Sequence, residues 1–142
     1  MLRSFGKFYG LPGVRLGFVL AAPGIIAKIR VALGDWPVSS AAIAVGRAAY
    51  RDRDWAERTR IHLTRQAARL DDRLRRAGIE IVGGTGLFRL GRCAEGEHRF
   101  TALARHGVLT RPFAREGHLL RFGLPRDPME WRRLDAALEE VE

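Results

Sequence analysis

From Leu63 the apolar residues step by four and three through Ala67, Leu70, Leu74 and Ala77, which lays a single stripe along one helix face. With Asp54 as a candidate N-cap and Gly78 as the C-terminal stop, a long helix is expected from Asp54 to Ala77. Upstream, Val14–Ala21 is dense in Val, Leu and Phe and reads as a buried strand. Pro23-Gly24 then turns the chain into a short helix near Ile25–Leu33. Gly34-Asp35-Trp36-Pro37 breaks that helix, and Pro37 or Ser39 starts an alanine-rich one that runs to about Tyr50. Beyond Gly78 the period shortens: Ile79–Val82 and Leu87–Leu90 read as strands around a Gly83-Gly84-Thr85-Gly86 turn. A helix over Glu97–His106 ends at Gly107, and two more strands, Val108–Phe113 and Leu119–Leu124, flank the polar loop Ala114–His118. Asp127 with Pro128 caps a last helix that faces Trp131, Leu134 and Leu138 to one side. The pattern gives an α/β fold in which a long helix leads into a small domain of three or four strands covered by helices.

With 142 residues, 46% apolar and 29% charged, the chain has the balance of an ordinary globular domain. No apolar run reaches the roughly 18–20 residues that span a bilayer, and no signal-peptide core opens the chain, so a cytoplasmic protein without a membrane association is expected. Cys93 is the single cysteine, without cysteine or histidine neighbours at ligand spacing, and His62, His98, His106 and His118 share no such spacing either, so no metal site is expected. The formal charge of +9 raises a basic nucleic-acid-binding module as an alternative. The arginines, however, are spread among acids, as in Arg51-Asp52-Arg53-Asp54 and Asp71-Asp72-Arg73, and no nucleic-acid-binding motif accompanies them. The excess is therefore read as solvated faces, with no nucleic-acid partner.

Two constellations carry chemistry. In Ser4-Phe5-Gly6-Lys7-Phe8-Tyr9-Gly10-Leu11-Pro12-Gly13-Val14-Arg15-Leu16-Gly17, a lysine lies three residues after a hydroxyl and eight before an arginine. The interspersed glycines let backbone approach an anion closely. Serine and arginine suit the phosphate of a phosphorylated aldehyde, and a lysine amine in a dry, cationic pocket can attack its carbonyl. Near the other end, Arg111 in Leu-Thr-Arg-Pro-Phe and Arg121 in Leu-Leu-Arg-Phe-Gly fall on successive expected strands. Two guanidinium forks that converge would match a substrate with a carboxylate and a phosphate.

The segment around Lys7 resembles the cofactor-lysine motif of fold-type I pyridoxal-phosphate enzymes, the aspartate-aminotransferase superfamily. Leu-Gly-Asp-Trp-Pro-Val-Ser at 33–39, Val-Gly-Gly-Thr-Gly-Leu-Phe-Arg-Leu at 82–90 and Leu-Arg-Phe-Gly-Leu-Pro at 120–125 look like the threonine-phosphate decarboxylase family of cobalamin biosynthesis, within the histidinol-phosphate-aminotransferase-like branch. Proline at Pro12, where alanine is common, is a small departure. The resemblance implies pyridoxal 5'-phosphate held by Ser4, Lys7 and Arg15, with Lys7 as the catalytic residue and the covalent anchor. Arg121 would bind the substrate's α-carboxylate, with Arg111 also lining the substrate anion site. The implied partner is a small phosphorylated amino acid, and the implied assembly of the whole enzyme is a homodimer. The fold implied is the C-terminal portion of the superfamily's: residues 1–50 as a remnant of the large cofactor domain, 51–142 as connecting helix and small domain. The chain is accordingly expected to be a C-terminal fragment of a decarboxylase, inactive alone. A histidinol-phosphate aminotransferase and an inactive truncated product are the alternatives. Trp55 and Trp131 are read as packing one face of their helices, while Trp36 belongs to a segment that in the family approaches the active-site mouth.

Overall fold

A computed structural model describes residues 1–140. The chain divides into two compact units, Met1–Glu57 and Arg58–Glu142.

In the first unit, β1 (Leu2–Ser4) pairs antiparallel with β2 (Gly17–Val19) in the register Leu2↔Val19, Arg3↔Phe18, Ser4↔Gly17. Between them the chain makes a 3₁₀ turn at Pro12–Val14. Two helices follow, α1 (Pro23–Leu33) and α2 (Ser40–Arg51). Pro23 occupies the first turn of α1, where a missing N–H is harmless. The Ser39 hydroxyl accepts from the Ala42 N–H at 3.1 Å, which makes it the N-cap of α2. The expected buried strand over Val14–Ala21 is corrected: only Gly17–Val19 is extended, and Phe18, Val19 and Leu20 are exposed. A two-stranded ribbon has no further strand or second layer to enclose its apolar side chains, and Arg15, at φ 53°, interrupts the extended run.

Helix α3 (Arg53–Arg76) starts one residue before the expected Asp54, and its cap lies two residues earlier than expected. The Asp52 carboxylate, not Asp54, accepts a bond from the Trp55 N–H at 2.9 Å, and Asp54 sits within the first turn, where an acid favours the helix dipole. In the second unit the α3 stripe is confirmed, since Ala67, Leu70, Leu74 and Ala77 are all buried. The helix ends at Gly78, whose φ of 69° lets the Ile79 N–H reach back to the Leu74 carbonyl at 2.8 Å.

The second unit has a four-stranded antiparallel sheet of order β3-β4-β6-β5, built from β3 (Glu80–Thr85), β4 (Phe88–Arg92), β5 (Arg111–Pro112) and β6 (Leu119–Gly123). Helices α4 (Gly96–Arg105) and α5 (Pro128–Glu139) complete it. Two expectations are corrected here. Gly83, Gly84 and Thr85 are strand rather than turn, because a bulge between Ile81 and Gly83 lets β3 run on, and the reversal is made by Gly86-Leu87 alone. Gly84 is required as glycine: at φ 150° a Cβ would lie 2.5 Å from the Phe88 carbonyl oxygen. The strand expected over Val108–Phe113 shrinks to Arg111–Pro112, because Gly107 at φ 73° turns Val108 back to cap α4 through a bond to the Leu103 carbonyl. The core joins Leu70, Leu74, Ile79, Leu103, Leu120, Phe122, Trp131, Leu134 and Leu138.

Candidate functional site

The β1–β2 ladder brings two of the expected cofactor residues together. Ser4 pairs with Gly17, two residues beyond Arg15, and the next rung is a Phe5 N–H bond to the Leu16 carbonyl at 3.1 Å. Lys7 lies in the loop these rungs close. Its carbonyl accepts from the Gly10 N–H at 2.9 Å, and the Leu11 N–H reaches the Phe5 carbonyl at 2.9 Å. Gly10 completes this turn at φ 65°, a conformation that side chains disfavour. Arg15 takes the left-handed conformation at the end of the 3₁₀ turn and donates one N–H to the Pro12 carbonyl at 3.2 Å. The Ser4 hydroxyl accepts from the Gly6 N–H at 3.2 Å, which leaves its own proton to donate.

Ser4, Lys7 and Arg15 are all exposed. No hydrogen bond or ion pair occupies the Lys7 amine among the described residues, and most of the Arg15 fork is free. One hydroxyl donor, one guanidinium and one amine on a single glycine-rich loop form a donor set that fits a phosphorylated aldehyde. The same segment includes a feature that the sequence reading missed: Phe5 and Tyr9, two residues either side of Lys7, stack at 4.5 Å with their planes 13° apart.

In the second unit Arg111 and Arg121 are direct cross-strand partners on β5 and β6. Leu120 and Phe122 are buried in the core, so Arg121 between them takes the opposite face of the sheet, and its register partner Arg111 shares that face. Like charges placed directly opposite repel. Some arginines of this unit are neutralised: Arg73 meets Asp135 at 3.0 Å, Arg89 meets Asp71 at 2.6 Å and Arg92 meets Glu80 at 3.0 Å. Arg111 and Arg121 have no carboxylate partner among the described residues. Arg121 instead lies 5.2 Å from the centroid of Phe88, a cation–π contact that steadies the guanidinium without using its donors. Sequence reading missed Phe88, which became visible only through the β4–β6 register.

Cys93 is buried, and desolvation, partly opposed by the Arg99 charge, pushes its thiol pKa up, as befits a packing residue. Among the described residues no group of three His, Cys, Asp or Glu side chains could hold a metal ion. Trp131 packs in the core beneath Arg69 at 4.0 Å, whereas Trp36 is 94% exposed.

Residues 1–134 match the family model described as aminotransferase class I and II. The chain is 43% identical over 141 residues to threonine-phosphate decarboxylase of Pseudomonas aeruginosa, a match that covers 97% of this chain and 41% of that protein. It is 39% identical over 127 residues to histidinol-phosphate aminotransferase of Symbiobacterium thermophilum, covering 87% of this chain and 33% of the relative. The solved structure of histidinol-phosphate aminotransferase from Sinorhizobium meliloti, in complex with pyridoxal-5'-phosphate, superposes with a TM-score of 0.78 at 27% identity, over 99% of this chain and 40% of that one. The chain thus spans less than half the length of the relatives it matches.

Proposed function

Since the chain belongs to the class I and II aminotransferase family, we propose that it provides the lysine loop and the substrate-arginine strands of a pyridoxal-phosphate-dependent threonine-phosphate decarboxylase. Pyridoxal phosphate, when bound, supplies an electron sink for a bond broken at the substrate's α-carbon. Lys7 would hold the cofactor through its amine and would carry the proton that replaces the lost carboxylate. Ser4 donates its hydroxyl, and Arg15 its free N–H groups, to the phosphate. Arg111 and Arg121 take the two anionic groups of the phosphorylated amino acid, and a forked grip on the carboxylate fixes the direction in which carbon dioxide leaves.

The observation that carries this reading is the Arg111↔Arg121 pair, two opposed guanidiniums with no carboxylate partner among the described residues. A ligand with two anionic groups relieves that repulsion. The identity to a threonine-phosphate decarboxylase over 97% of the chain favours decarboxylation. A histidinol-phosphate aminotransferase, favoured by the 39% match, is the second reading. We place the enzyme in the cytoplasm as a homodimer; no helix among the described residues is long and apolar enough to cross a membrane.

The test joins these residues to the remaining length of the family's fold and supplies threonine phosphate or histidinol phosphate. Carbon dioxide release from the first supports the decarboxylase, and oxoglutarate-dependent amino transfer from the second supports the aminotransferase. In either enzyme Lys7→Ala removes the visible cofactor band and lowers turnover by a factor on the order of 10²–10⁴. The 142 residues alone release no carbon dioxide.

A further inference from the structure

We infer that Trp55 is a positioning residue for Lys7, acting through a stack of three aromatic rings that holds the lysine loop from both sides. This rests on the reading of Lys7 as the cofactor lysine. The amine itself offers no anchor: Lys7 is exposed, has glycine before it and a left-handed glycine three residues after it, and its only fixed polar atom is the carbonyl that accepts from Gly10. The loop is placed by its neighbours. Phe5, 1% exposed, stacks on Tyr9 at 4.5 Å, and Tyr9 stacks in turn on Trp55 at 5.6 Å with an interplanar angle of 16°. Phe8 meets the same indole edge-on at 5.5 Å.

The indole is itself fixed. Its backbone N–H is bonded to the Asp52 carboxylate at 2.9 Å, so the ring starts from the capped first turn of α3. Tyr50, in the last turn of α2, closes the side of the stack with near-perpendicular contacts to Phe5 at 5.1 Å and Tyr9 at 5.7 Å. Offset parallel rings resist both rotation and sliding, since either loses the favourable quadrupole geometry. Because Phe5 and Tyr9 stand two residues before and after Lys7, fixing both rings fixes the backbone from which the amine projects. Loss of the indole leaves Tyr9 stacked on Phe5 alone, with its second face uncovered, and loosens the C-terminal half of the loop.

The test uses the 142-residue chain, whose only lysines are Lys7 and Lys28. The protein is treated with pyridoxal phosphate or with pyridoxal, which lacks the phosphate. Each amine condenses with the aldehyde and loses water, borohydride delivers hydride to fix the product, and peptide mapping gives the ratio of label at Lys7 to label at Lys28. In the unaltered chain the phosphate raises that ratio about tenfold, the effect expected of a hydrogen bond or two to a charged group. Trp55→Ala and Tyr9→Leu each bring the ratio down to the pyridoxal value. Trp55→Phe keeps it, with label at Lys28 and helical circular dichroism unchanged. A phosphate-dependent preference that survives in folded Trp55→Ala or folded Tyr9→Leu overturns the positioning role and leaves the lysine reading intact. If the unaltered chain shows no phosphate-dependent preference, the lysine reading itself fails and the positioning role falls with it. Should Trp55→Ala lose its helical signal, Trp55→Leu, which retains apolar volume, takes its place under the same two outcomes.

Discussion

The two units bury their apolar residues to very different extents. In Arg58–Glu142, Leu70, Leu74, Ile79, Leu103, Leu120 and Phe122 are 0–2% exposed within one continuous cluster. In Met1–Glu57 the buried side chains are few, chiefly Phe5, Leu16 and Ala42, while Leu20, Ile25, Val31, Leu33 and Trp36 are 53–94% exposed. The second unit is a self-sufficient core that presents two arginines on the far face of its sheet. The first carries Lys7, the proposed cofactor lysine, on a loop held by ring stacking and a short ladder. Its several exposed large apolar side chains invite self-association. Specific placement of a backbone segment and enclosure of a core are thus separable: the unit with the poorer core still holds its lysine loop through ring stacking.

The largest effect that sharpens this contrast comes from truncating one aliphatic side chain in each kind of environment. Leu74 is fully enclosed by the second unit's core, so Leu74→Ala costs about 2–5 kcal/mol, the lost transfer energy plus a cavity. Val31→Ala, at a side chain 85% exposed on α1, changes stability by less than about 0.5 kcal/mol. Native-state amide exchange reads the two units separately. A comparable loss at Val31 would mean that the first unit's surface is enclosed in solution, by self-association for example, and sedimentation would reveal it.

A smaller effect comes from filling the glycine clefts. A Cβ at Gly91 would sit 2.5 Å from Ile79 Cγ2 and 3.1 Å from Phe122 Cε2, both enclosed, so Gly91→Ala costs about 1–3 kcal/mol. At Gly46 a Cβ would meet Leu16 Cδ2 at 2.4 Å, which is as tight. Gly46, however, is helical, and alanine there gains about 1 kcal/mol of propensity. Leu16, though buried, also lines a cavity beside Phe18 and Ile43 into which the end of its side chain can shift. Gly46→Ala is therefore expected to stay within about 1 kcal/mol of the parent. Equal penalties in thermal unfolding would show the first unit to be packed as rigidly as the second.

The same contrast explains what the sequence disclosed. The α3 stripe from Ala67 to Ala77 was legible because periodicity reports burial directly, and the second unit buries what its pattern promises. Val14–Ala21 was misread for the converse reason: an apolar run says that a segment seeks cover, not that this chain provides it. Asp54 and Asp52 are equally good caps by composition, and only the bond to Trp55 decides between them. The lysine loop was legible as spacing, yet its aromatic stack was not, since Trp55 is remote in sequence and its indole has the ordinary appearance of helix packing. Likewise Arg111 and Arg121 were found as residue types, but their direct opposition depends on the β5–β6 register, which two residues of strand do not announce.

The smallest effect concerns how the two units cap their helices, and it separates them by pH. Ser39 caps α2 with a hydroxyl that does not titrate, so Ser39→Ala costs about 0.5–2 kcal/mol at any pH where the fold persists. Asp127 caps α5 with a carboxylate that accepts from the Glu130 N–H at 3.0 Å and the Met129 N–H at 2.9 Å. The bond from Glu130 foremost, helped by the Arg126 side chain and the Met129 N–H and partly opposed by desolvation, holds its pKa below the ordinary carboxylate value. A depressed pKa means that the fold favours the charged form. Its contribution is therefore present above the unfolded value of about 3.9 and disappears as pH falls through the lower folded value. Asp127→Ala should destabilise the second unit at neutral pH and converge on the parent in acid, while the Ser39→Ala deficit stays constant. Urea titrations of the two variants from pH 7 into acid check this. A constant gap for Asp127→Ala would show that the cap works by geometry alone, with its charge immaterial to α5.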